Sequence, residues 1–393
     1  MTTTNEQEDW FHEENRDPSP NGRRTDPTPP AATRAPEPVV AGVPVPAEEP
    51  TLLVDPDQRR YEPITEPAMA PPTVNPWEQD TDSDELAPLA IPTTARAPQD
   101  AVQIGIWGQP ESGKTTYLGA LRIAAAQQQG RLGRWTVSGL DDPSSNFLVE
   151  QAERMTRQRR FPEPSLVEET LRWSFNGRAP GRFVRRPVEF VLSVQDAPGE
   201  AFRQGPLMQR VVDHLARSRG LIYLFDPITL NSSNIEYFDK TLQMLSASLR
   251  AGSRLRKGKL PHYLSVCVTK FDDPAFFTRA VHEGWVTQDS TDQRLPRVPD
   301  DRAEAFFDWV CHVLRRQGAP LIRELIRSNF DDVRVRYFAT SSVGFRLNDQ
   351  QVFDFRDFRN VDVTADHDRR IREMVRPINV LEPLISLERR IRG

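Results

Sequence analysis

Gly108-Gln109-Pro110-Glu111-Ser112-Gly113-Lys114-Thr115, with Thr116 after it, fits the pattern G-x-x-x-x-G-K-[ST] without adjustment. The residues before it, AVQIGIW at 101–107, are apolar and β-branched and read as a buried strand. Thr115 to Gln129 is rich in Ala, Leu and Gln with apolar residues at helical spacing, and Gly130 stops it. A strand, a glycine loop and a helix in that order build an anion site. Successive backbone N–H groups face the ligand, the helix N-terminus adds positive potential, and Lys114 adds a full charge. Gly113 stands where a side chain would collide with phosphate, and the Thr115 hydroxyl is placed for Mg²⁺.

Composition divides the chain. Of its 35 prolines, 19 precede Ala101, and the first hundred residues carry 20 acidic against 7 basic side chains. The formal charge of −5 therefore joins an acidic segment to a mildly basic body. Runs such as DPTPP (26–30) and APEPV (35–39) bury too little apolar surface to offset chain entropy. Residues 1–99 thus read as a disordered, Pro-rich acidic tail, and 100–393 as a body able to bury one good core. Apolar islands at 51–54, Trp77 and 86–91 read either as ordinary tail residues or as a docking motif for a protein effector, a regulator or the body itself.

Cys267 falls in an apolar strand and Cys311 in a helix, which reads as two buried free thiols rather than a disulfide or metal site. No run approaches a membrane span, and MTTTNEQEDW lacks the basic-then-apolar pattern of an export signal, so a cytoplasmic protein is expected. The positive charge is spread over many arginines without interleaved aromatics. That disfavours nucleic acid and leaves peripheral contact with anionic lipid open.

Along the body, strands are predicted at 134–138, 168–175, 188–195, 220–225, 263–268 and 333–339. Helices are predicted at 146–158 behind the capping sequence DDPSS, at 202–218 and 235–251, as one or two helices over 302–328, and at the terminus over 377–391. Alternating strands and helices mean an α/β fold of Rossmann-like, doubly wound kind. Its sheet is mostly parallel, helices cover both faces, and the ligand sits at the carboxyl ends of the strands.

Three further motifs fall at strand ends. Asp196-Ala197-Pro198-Gly199 follows the fourth predicted-order strand region at 188–195: a carboxylate there can hold Mg²⁺ through water, and the Gly199 N–H can meet a γ-phosphate. Thr269-Lys270-Phe271-Asp272 follows 263–268. The Asp272 carboxylate would accept from guanine N1–H and the 2-amino group, with the Lys270 stem along the ring face and its charge in water. The competing reading is a helix cap, since FDDP could open the next helix. Phe338-Ala339-Thr340-Ser341-Ser342 follows 333–337, where Ser341 and the Ser342 backbone would close over the base.

With GQPESGKT, DAPG, TKFD and ATSS in that order over residues 101–343, the chain resembles the Ras-like, translation-factor-related (TRAFAC) class of P-loop GTPases. Its long spacing, with a helix between the phosphate loop and DAPG, looks more like bacterial gliding-motility-type and double-GTPase-type relatives. The resemblance implies GTP and GDP binding, Mg²⁺, slow hydrolysis and two nucleotide-sensitive loops. The implied switch I hydroxyl on Mg²⁺ is Ser165, with Thr170 the alternative, and Arg160 lies in the same loop as a hypothetical internal arginine finger.

The chain also departs from that pattern. Glu200 follows DAPG where many relatives have the glutamine that orients water. Either it slows hydrolysis by repulsion or it acts as base for the water. Pro110 removes one N–H beside the γ-phosphate, and Val343 replaces a lysine often found after the last motif. The expected function is a slow GTPase switch. A GTP-holding scaffold without turnover is the first alternative, and an ATPase or kinase, against which TKFD argues, is the second.

Overall fold

The computed structural model describes residues 102–127, 133–163, 169–178, 187–196, 206–364 and 368–393. The readings made on 1–99, Gly130, Ser165, Gly199 and Glu200 lie outside them.

A seven-stranded sheet organises these residues, in the order β2-β3-β4-β1-β5-β6-β9. Its parallel half holds β1 (Val102–Gly108), β4 (Pro187–Asp196), β5 (Gly220–Phe225), β6 (Tyr263–Val268) and β9 (Val335–Ala339). The antiparallel edge is β2 (Arg134–Gly139) and β3 (Glu169–Arg178), with β3 running beside β4 from Glu169↔Asp196 to Arg178↔Pro187. Two small hairpins add β7 (Thr287–Gln288) with β8 (Pro296–Arg297), and β10 (Val361–Val363) with β11 (Arg369–Ile371).

Side-chain alternation feeds two cores. Along β5, Leu221, Tyr223 and Phe225 enter one, while Ile222 and Leu224 enter the other. The first core lies under α3 (Pro206–Arg217), α4 (Ser232–Ala251), α6 (Ala303–Val313) and α7 (Ala319–Asn329). The second lies under α1 (Lys114–Gln127), α2 (Asp142–Thr156) and α8 (Glu382–Arg392). A strand buried on both faces has no polar side to show, which is why GLIYLF reads as an unbroken apolar run.

Local chemistry sets the helix starts. Asp141 caps α2 through a 2.9 Å bond from the Ser144 N–H, with Pro143 in the first turn. The terminal helix begins at Glu382 rather than Pro377, because 377–381 is engaged in bridging contacts and Pro383 sits in the first turn. The span 302–328 resolves into α6 and α7, parted by Gly318 at φ 83°. A short helix, α5 (Pro274–His282), follows TKFD. No described helix is long and apolar enough to cross a membrane.

Candidate functional site

The glycine loop leaves the end of β1, where buried Trp107 lies 6.2 Å from Phe238 in a stack and 5.0 Å from Tyr223. At Gly108 an added methyl would stand 2.5 Å from Ser112 Oγ and 3.0 Å from Leu224 Cβ, so the loop packs back onto β5 only with glycine there. Gly113 differs: its φ is 84° and an added methyl would meet nothing within 4 Å, so it faces open space. Glu111 is also left-handed, at φ 65°. Ser112 N–H bonds to Gln109 O (3.1 Å), and Tyr117 N–H to Gly113 O (2.8 Å) begins α1.

The loop's residues divide their work. The Gln109 side chain turns inward, donating to Asp226 O (3.5 Å) and accepting from Tyr223 Oη (3.4 Å). Buried Ser112 Oγ has no partner among the described residues. Lys114, Thr115 and Thr116 form the half-buried first turn of α1, and Pro110 contributes no N–H. An open space at Gly113, an orphaned hydroxyl and a helix N-terminus fit a phosphate chain. Thr115 is the hydroxyl that would hold Mg²⁺. β4 pairs with β1 through Gly105↔Ser193 and ends at Asp196, so Asp196 closes the strand next to the one that carries the loop.

TKFD alternates inward and outward. Thr269 is buried, and both its N–H (2.8 Å) and its hydroxyl (3.2 Å) bond to Phe225 O, so it ties the end of β6 to β5. Phe271 is buried edge-on against Phe277, Phe306 and Phe345. Capping of α5 falls to Asp273, whose Oδ1 accepts from Ala275 and Phe276 N–H at 3.1 and 3.3 Å. Asp272 is thereby released from the cap role. Burial pushes its carboxyl up to about 6, against the opposing hydrogen bond from Ser341.

The Ser341 loop lies directly beside TKFD. Phe271 N–H bonds to Thr340 O (3.1 Å), and Thr340 N–H to Val268 O (2.7 Å). Ser341 itself is fully buried, and its N–H goes to Ile378 O (3.0 Å). Its hydroxyl hydrogen-bonds Asp272 and so orients that carboxylate.

Lys270 overturns one expectation. Its ammonium is not left to water alone but pairs with the Asp226 carboxylate at 2.7 Å, on a side chain still 26% exposed, with the Lys270 backbone left-handed at φ 54°. Asp226 has no exposed surface and also accepts from Ile228 N–H (2.8 Å), Thr229 N–H (3.4 Å) and Thr229 Oγ1 (2.7 Å). With its carbonyl on Gln109, this one residue touches the phosphate loop and the base motif together. Sequence reasoning missed it. The available signal was an acid directly after GLIYLF, at the carboxyl end of a parallel strand.

On β3, Thr170 pairs with Gln195 of β4 and lines a cleft of about 380 Å³ with Gln103, Asp141, Arg172, Ser193, His214 and Arg217. Its neighbours Leu171 and Trp173 face the α1 core, so Thr170 faces the α3 side, away from Thr115. His214 Nε2 lies 2.8 Å from Ser193 O and so carries the proton, and burial holds the ring below the ordinary histidine range. Arg160 is drawn into a bridge with Arg370 of β11, on the opposite side of the sheet from that cleft's helix.

No family model and no curated protein matches the chain. Among solved structures it is similar to Sup35 complexed with GDP, at 13% identity and a TM-score of 0.24, over 66% of this chain and 40% of that one. It is also similar to the signal recognition particle receptor SRb-GTP/SRX complex from Chaetomium thermophilum, at 17% identity and a TM-score of 0.29, over 63% of this chain and 93% of that one. The chain thus spans less than half the length of the Sup35 structure. At these values the case for function rests on the chain's own geometry.

Proposed function

We propose that the chain is a GTP-binding switch of the P-loop GTPase class that hydrolyses GTP to GDP slowly with Mg²⁺. The observation that carries this reading is the convergence of a phosphate loop, an oriented Asp272 and the Ser341 loop at the strand ends of one parallel sheet. Guanine presents two N–H donors on one edge and adenine has no such pair, so a carboxylate free of capping duty selects guanine. The Lys270 stem, held out toward Asp226, offers an apolar rod for the ring face.

Lys114 and the loop amides stabilise charge on the β,γ-bridge and γ-oxygens. Thr115 and Asp196 are the residues that would hold Mg²⁺, which would neutralise phosphate charge. Gly199 senses the γ-phosphate, and Ser165 supplies the hydroxyl of the first switch. Glu200 in place of a water-orienting glutamine, with one amide missing at Pro110, supports slow turnover. The kinship with gliding-motility-type and double-GTPase-type relatives, and a protein effector that reads the two loops, belong to the same proposal. A scaffold that holds GTP without turnover is favoured by Glu200 and by the long acidic tail. Single-turnover hydrolysis with Mg²⁺ separates the two.

The test of the reading is competition between GDP, ADP and XDP. The natural chain is expected to prefer GDP over ADP by at least about a hundredfold. Asp272→Asn is expected to move the preference toward XDP, whose C2 carbonyl suits an amide donor. Equal affinity for GDP and ADP, or an unchanged GDP preference in Asp272→Asn, overturns it.

A further inference from the structure

One segment touches both halves of the proposed site. Residues 375–381, between β11 and α8, are held by two side chains of the phosphate-loop helix. Gln127 donates to Val375 O at 2.9 Å and Tyr117 to Val380 O at 2.6 Å. The same segment pairs with the base loop. Ser341 and Ile378 exchange N–H···O bonds of 3.0 and 2.8 Å, the Asn379 amide donates to Ala339 O (2.8 Å), and the Thr340 hydroxyl donates to Asn379 O (3.3 Å).

Asn379 is 3% exposed and left-handed at φ 49°, a conformation asparagine tolerates better than most residues. Its Oδ1 accepts from Arg297 (3.2 Å), which also pairs with Asp289 (2.9 Å) and Glu382 (3.4 Å). Both ends of the amide are therefore committed, and its orientation is fixed. At Gly344 (φ 70°) an added methyl would stand 1.9 Å from Arg376 O, while Arg376 N–H bonds to Val343 O at 2.9 Å. Glycine is required there because the segment crosses at backbone contact.

We propose that residues 375–381 form a strap that locks the base-binding loop, with Asn379 as its positioning residue. The proposal rests on the guanine reading above. The strap fixes the Ser341 backbone. Ser341 Oγ takes the Gly344 N–H at 2.7 Å and hydrogen-bonds Asp272. Loosening the strap frees Ser341 to move and unsettles the carboxylate that would read the base. Because Tyr117 and Gln127 anchor it on α1, the strap also sets the distance between phosphate loop and base loop.

The experiment uses the full chain with GDP, ADP and tripolyphosphate as probes. Asn379→Gly keeps the left-handed backbone and deletes the amide; Thr340→Val deletes the hydroxyl at near-constant volume. Each is expected to speed GDP dissociation about fivefold to tenfold and to narrow the GDP-to-ADP ratio equally. Affinity for tripolyphosphate, which reaches only the phosphate loop, stays unchanged. GDP dissociation at the natural rate in both variants overturns the strap's role, as does a fall in tripolyphosphate affinity in step with GDP. A natural chain that binds ADP as tightly as GDP overturns the guanine reading, and the strap's part in base selection with it.

Discussion

The Lys270 ammonium stands 2.7 Å from the carboxylate of Asp226, a side chain with no exposed surface. A buried carboxylate is tolerated only when paired and hydrogen-bonded, and Asp226 is both. Removing Lys270 strands that charge, so Lys270→Met is expected to lower unfolding stability by about 3 kcal/mol. Adding Asp226→Asn, which removes the stranded charge, recovers part of the loss. A denaturation double-mutant cycle over the two sites checks this. Additive losses would mean that the pair is not coupled.

Asp272 carries a pH dependence whose sign is fixed by the direction of its shift. Its carboxyl is raised to about 6 by burial, so its favourable contribution to the ligand-free fold is complete below the ordinary carboxylate range and lost as pH rises through 6. Asp272→Asn is therefore expected to raise Tm at pH 7.5 relative to the natural chain, with the gain vanishing near pH 4. Guanine binding needs the ionised form and runs the opposite way. GDP affinity falls as pH drops below about 6, and Asp272→Asn flattens that profile. Binding titrations across pH 5 to 8 read it directly.

Neighbouring acids separate fold from function. Asp273 caps α5, so Asp273→Ala is expected to cost about 1 kcal/mol of stability while GDP-over-ADP preference persists. Asp272→Ala should lose the preference without that cost. Chemical denaturation beside nucleotide competition measures both, and a reversed pattern would exchange the two roles.

The two loop glycines make a similar contrast. Gly108→Ala drives a methyl against Ser112 and Leu224 and is expected to lower Tm by several degrees. Gly113→Ala meets no protein atom, so its Tm falls less, by the strain of a left-handed alanine. Its methyl instead enters the space proposed for phosphate, and GDP affinity should fall by at least about tenfold. Natural GDP affinity in Gly113→Ala would mean that the phosphates lie elsewhere.

Much of this was legible in the sequence where period and punctuation agreed. AVQIGIW with the glycine loop, GLIYLF, and YLSVCV before TKFD placed three central strands and their ends, because a strand buried on both faces has one reading. DDPSS marked the approach to α2, but the helix starts at Asp142, four residues before the expected 146, because Asp141 at the head of that run is itself the cap. Contacts that only tertiary structure creates were not legible. Nothing local to Lys270 says that its ammonium turns to Asp226, 44 residues earlier. Nor does anything local to Ser341 say that its N–H goes to the carbonyl of Ile378, 37 residues later. The start of α8 was misplaced because the strap's apolar residues share the periodicity of the helix that follows.

The central claim is that the site holds a guanine nucleotide, and the nucleotide carried by the full chain as purified tests it most directly. Chromatography of the released nucleotide is expected to give GDP or GTP. An adenine nucleotide, or a chain that is empty and then takes up neither GDP nor GTP with Mg²⁺, contradicts the account.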